Sequence, residues 1–160
     1  MWKKIGLIVL CLVTGCVLGT ILSMAYFGHK LAAGMFMLQE KEICEMGETA
    51  VDACYNQPNE VAVWALESYI KTLNKVKEER SHARVENPYF MLSPDTELVF
   101  THARLGKLYK QMGNAEKSRH HFEQAISLSK RAKLKYLVNT EEDCVRMLDI
   151  VDKARSENLK

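Results

Sequence analysis

Leu98 to Arg131 reads LVFTHARLGKLYKQMGNAEKSRHHFEQAISLSKR, and the fold turns on how this stretch closes. Its first half places Leu98, Thr101, Leu105, Leu108, Tyr109 and Met112 on one helical face, and Ser93-Pro94-Asp95 supplies a start signal before it. Gly113-Asn114 is a stop signal. Ala115 to about Lys130 then aligns Ser118, Phe122, Ala125 and Ile126, so the spacing predicts two helices folded back on one another across a tight turn. In that hairpin Gly106 permits close approach, Tyr109 fills the space near the turn, Gly113 makes the turn, and Phe122 and Ala125 pack back onto the first helix.

Leu105-Gly106, Tyr109, Gly113, Ser118, Phe122 and Ala125 also fall at the offsets of a tetratricopeptide repeat, which residues 98–131 resemble. The departures are His102 where tryptophan is frequent, Ser118 where alanine is usual, and Lys130 where a closing proline would stand. Without that proline the second helix is free to run on toward Lys135. The resemblance implies a protein-binding module that takes extended or helical segments of a partner along the concave face built by the first helix of each pair. On that helix Phe100, Arg104, Lys107, Lys110 and Gln111 lie off the packing stripe and are the expected partner-binding residues.

Working outward, residues 36–54 carry Ile43, Met46, Gly47, Ala50 and Cys54 at helical spacing, Asn56-Gln57-Pro58-Asn59 interrupts, and Val61, Ala65, Tyr69, Leu73 and Val76 form a further stripe. Ala65, Tyr69 and Thr72 reproduce the spacing of a repeat's second helix, so residues 31–80 read as a degenerate helical hairpin. Residues 81–94 read as a loop whose Tyr89, Phe90, Met91 and Leu92 pin it to the core, a binding element being the alternative. Residues 95–135 form the hairpin, and 136–160 hold a capping helix opened by Asn139-Thr140, with Cys144, Met147, Leu148 and Val151 as its stripe. One repeat cannot bury its own apolar faces, so the flanking elements must stack on it. The fold class is therefore all-α, an N-terminal transmembrane helix followed by antiparallel helical hairpins, and no strand is predicted.

The transmembrane helix is read from Ile5 to Phe27, 23 residues without a charged side chain, flanked by Lys3-Lys4 and by His29-Lys30. As a helix this run rises about 35 Å, more than the roughly 30 Å of bilayer hydrocarbon. A secretory signal peptide has a shorter apolar core, of roughly 7 to 15 residues, so residues 1–30 are expected to be a retained anchor. Leu12-Val13-Thr14-Gly15-Cys16 resembles the lipobox of bacterial lipoproteins, which keeps open the alternative of a lipid attached at Cys16. The expected location is a bacterial inner membrane; lysines close to the start favour an inside N-terminus, which there puts the helical domain in the periplasm. Gly15, Gly19 and Ser23 share one face and are candidates for a transmembrane dimer contact.

The 160 residues are 48% apolar and 26% charged, which excludes a disordered polymer. A net charge of +2 gives no support to a general nucleic-acid binder. Charge is nonetheless uneven: residues 71–135 hold 14 basic and seven acidic side chains, whereas 31–70 hold one and seven. Lys130, Arg131, Lys133 and Lys135 are the densest basic cluster, without the interleaved aromatics of a nucleic-acid site. Five cysteines, Cys11 and Cys16 inside the apolar run, do not make a disulfide scaffold; Cys144 reads as a buried thiol, and a Cys54 to Cys144 bridge stays open. His102 is on the first helix of the hairpin, His120 and His121 point apart, and no HExxH, phosphate loop or GxSxG occurs. No catalytic residue, metal or cofactor is expected. The sequence thus reads as a membrane-anchored adaptor or assembly factor, with a self-associating homo-oligomer as the alternative.

Overall fold

The computed structural model describes the backbone of residues 2–83, 93–132 and 138–158, with side chains over most of 18–80, 93–132 and 138–157. The described residues are all-helical: α1 (Trp2–Asn56), α2 (Asn59–Ala83), α3 (Pro94–Gln111), α4 (Ala115–Arg131) and α5 (Glu141–Asn158). Two compact units divide the chain, Met1–Lys41 and Glu42–Lys160. No helix break separates them in sequence, because α1 has no proline and no turn cluster before Asn56-Gln57-Pro58.

In the first unit the described apolar side chains are exposed, from Leu18, Ile21 and Leu22 to Leu31, Met35 and Leu38. Among the described residues no helix is long and apolar enough to cross a membrane. Most of the run Ile5–Phe27, with Gly15 and Cys16, has side chains outside the described residues; Gly19 and Ser23 are exposed, with nothing within 4 Å of a Cβ placed on Gly19.

The second unit is built by packing successive helices antiparallel. The end of α1 buries Ile43, Gly47, Ala50 and Ala53, one face of a 3.6-residue helix, and the Tyr69 ring of α2 lies across Gly47. On α2 the buried stripe is Ala62, Leu66, Tyr69, Leu73 and Val76, one position on from Val61 and Ala65 over its first two turns. Val61 is exposed and Ala65 only half-buried, because the larger Leu66 takes the core position. Leu66 and Leu73 are fully buried and contribute roughly 1.5 to 3 kcal/mol each.

The α3–α4 hairpin is the centre of the unit. At Gly113, φ is +75°, a left-handed conformation that glycine adopts without a Cβ clash. Gly113 N–H donates to Lys110 O and Asn114 N–H to Tyr109 O, closing the end of α3, while Asn114 Oδ1 accepts from Lys117 N–H (3.1 Å) and opens α4. Leu105, Phe122 and Ala125 are buried, and Ser118 Oγ donates to Gly106 O at 2.9 Å. The α3 helix is enclosed by α2, α4 and α5, so Val99 and Ala103 are buried along with Leu98, Leu105 and Leu108, whereas Met112 at its end is exposed.

A reciprocal cap opens α5: Thr140 Oγ1 accepts from Asp143 N–H (3.1 Å), and Asp143 Oδ2 accepts from the Asn139 and Thr140 amides. Those bonds hold the Asp143 carboxyl below the usual carboxylate range. Cys144 and Leu148 seat the helix against α3 and α4. Replacing Thr140 by Ala is expected to cost about 1 kcal/mol, read from urea unfolding of the full chain in mild detergent. Among the described residues Cys54 and Cys144 are not joined by the bridge left open between them; burial pushes the Cys144 thiol up to about 11. Tyr89, Phe90, Met91 and Leu92, and Lys133 and Lys135 of the basic cluster, lie outside the described residues.

Candidate functional site

The end of α1, α3 and α5 line a groove whose floor is Arg104. Two cavities open on it. One, of about 170 Å³, is bounded by Tyr55, Lys107, Gln111, Leu148 and Asp152. The other, of about 260 Å³, is bounded by Val51, Glu97, Phe100 and Val151. Arg104 belongs to both.

Arg104 is 8% exposed. Its Nη2 donates to Asp152 Oδ1 at 2.7 Å, and its Nε is buried without a hydrogen-bond partner. A guanidinium in such a place needs a carboxylate, since burying it bare costs several kcal/mol. Burial, followed by the neighbouring Asp152 carboxyl, pushes the Tyr55 phenol up to about 12. In the second cavity Tyr69 Oη donates to Glu97 Oε2 at 3.4 Å, and burial raises both groups above their ordinary values.

The structure therefore brings together four of the five residues expected to contact a partner: Phe100, Arg104, Lys107 and Gln111 all line the groove. Lys110 lies beside it, paired with Glu141. The cations on this face are not left as free positive charge. Lys107 Nζ is 3.2 Å from Asp149, so each cation of α3 faces a carboxylate of α5, and the acidic turns of the last helix neutralise the groove. No family model, curated protein or solved structure matches this chain.

Sequence reasoning missed a second cluster, on the side of the hairpin where α3 meets α4. His102 Nδ1 and His121 Nδ1 are 3.0 Å apart, the His121 ring stacks on Tyr109 with centroids 5.4 Å apart, and Tyr109 Oη donates to Glu67 at 3.0 Å. Lys117 Nζ lies 4.9 Å from the centre of the same tyrosine ring. Tyr109 thus ties α2 to the hairpin besides filling space at the turn. Among the described residues no three His, Cys, Asp or Glu side chains converge as metal ligands, and the His pair has no carboxylate within bonding distance.

Proposed function

We propose that the chain is a membrane-anchored adaptor of the tetratricopeptide-like kind, in which residues 1–30 hold the helical unit at a bacterial inner membrane and the groove over Arg104 grips a segment of a partner protein. The observation that carries the reading is the groove itself: two adjoining cavities on the face that the first helix of the hairpin shares with the end of α1 and with α5. A polypeptide laid along α3 would meet apolar side chains in both cavities and hydrogen-bonding groups between them, the usual make-up of a peptide-binding surface. The apolar run Ile5–Phe27 supports the anchor. Anchoring confines the search for a partner to the membrane surface and raises its effective concentration.

A photo-crosslinking residue placed at Gln111, in the groove, should trap a partner in native membranes, while the same residue at exposed Arg119 on α4 should trap none. Equal labelling from both positions, or none from Gln111, rejects the groove. Membranes washed at alkaline pH should retain the chain; its release would reject the anchor.

A second reading is favoured by one observation. Leu31, Met35 and Leu38 recur at spacings of four and three and are all exposed, the pattern of a seam between paired helices. Self-association along α1 predicts that Met35→Cys yields a disulfide-linked dimer in oxidised membranes.

A further inference from the structure

We propose that Asp152 is a built-in surrogate for the ligand, and that a partner segment carrying an Asp or Glu side chain beside an apolar one exchanges for it on Arg104. The proposal rests on the groove reading and specifies what the groove takes.

Arg104 presents five N–H donors in a planar fork, and a carboxylate satisfies such a fork best by taking two of them in parallel. Asp152 is placed to take one. It accepts from Nη2, whereas Nε, on the adjoining edge of the guanidinium, is buried and unbonded. The resident pair therefore leaves bonding capacity that a second carboxylate can use more fully. Asp152 is also free to leave. Its side chain is 21% exposed against 9% for Arg104, and it is in the last two turns of α5. Terminal helical turns open at small cost.

Exchange of one carboxylate for another keeps the buried guanidinium compensated throughout, which avoids the large penalty of a bare charge. The cavities on either side set what must flank the incoming acid. On one side the recess is lined by the apolar Phe100, Val51 and Val151 together with Glu48 and Glu97, whose carboxyls disfavour a second acid there, while Lys107 and Gln111 offer polar contacts on the other. A segment with an acidic residue next to a Leu- or Phe-sized one fits this order; an all-basic or all-polar segment does not.

The test is selection of a displayed random 12-residue peptide library on the full chain in lipid nanodiscs, followed by titration of the selected peptide in fluorescein-labelled form. Selected peptides should be enriched in Asp or Glu adjacent to an apolar residue. Asp152→Asn keeps an oxygen to accept from Arg104 but removes the competing charge, and should tighten binding about fivefold or more. Arg104→Lys, which preserves the charge and loses the fork, should weaken binding about tenfold. A merely structural pair predicts that both substitutions weaken binding together, and that result overturns the proposal. Peptides selected without acidic enrichment overturn it while leaving the groove reading intact, and failure to select any groove-binding peptide overturns both.

Discussion

Gly106→Val should unfold most of the helical unit at room temperature, and Gly106→Ala should cost about 2 kcal/mol despite replacing glycine by the best helix former. In the interior of an exposed helix that exchange normally gains about 1 kcal/mol. Here the sign reverses because a Cβ at residue 106 would lie 2.9 Å from Cγ, Cδ1 and Cε1 of Phe122. The contact is with the body of the ring, and the ring is 3% exposed in the middle of the core, so it has nowhere to turn. Overpacking of this kind costs about 1 to 3 kcal/mol for a single methyl group, and a branched side chain adds more. Separating α3 from α4 would also stretch the bond from Ser118 Oγ to Gly106 O. The measurement is urea unfolding of the full chain, with Phe122→Leu as the partner in a double-mutant cycle. Phe122→Leu is itself destabilising, yet Gly106→Ala on that background should cost clearly less than on the natural one. If the two effects simply add, the close approach is not what glycine is needed for.

The same hairpin shows how far a sequence carries the structural argument. Gly106, Gly113 and Phe122 are legible because each meets a local demand: a close approach, a left-handed turn, a large group to fill the gap. The boundary of the core on α2 was not, since Val61 and Ala65 are as acceptable at helical spacing as Ala62 and Leu66; the choice is made by where Tyr69 and its neighbours meet α1. Arg104 reads from the sequence as lying off the packing stripe, yet it is buried. Its partner Asp152 is 48 residues away on a helix whose acids, read locally, serve only its own cap and solubility. The groove's neutrality is a tertiary fact. The contact between His102 and His121, by contrast, was within reach, because Ser118 meets Gly106 and one turn further from the loop the same register brings residue 121 to residue 102. Adjacent histidines pointing apart do not preclude one of them from meeting a third.

That contact predicts an acid-labile hairpin. With both rings neutral, one Nδ1 donates to the other across 3.0 Å; with both protonated, two donors face each other and the bond is lost. Burial, followed by the positive charges of His121 and His120, lowers His102 to about 4, and burial and His120 also lower His121. Around His121, Glu67 from α2 opposes the shift and Lys117 of α4 reinforces it, while Tyr109 stacks on the ring. A folded-state value below the unfolded one means that the unfolded chain binds protons first. The contribution of His102 is thus unchanged above about pH 6.5, falls as the pH drops from about 6.5 to 4, and levels off below that. At about 1.4 kcal/mol per unit the loss has an upper bound near 3 kcal/mol, which solvent screening of a partly exposed ring reduces to about 2 kcal/mol. Glu97, raised by burial, acts in the opposite sense, since it gains its proton in the folded state first. Comparison with a variant is therefore needed to isolate the histidines. The natural chain should lose about 2 kcal/mol more than His102→Leu between pH 7.5 and pH 4.5, measured by urea unfolding at each pH. Parallel pH profiles for the two proteins would show that the paired rings tolerate protonation, and that the hairpin does not depend on their staying neutral.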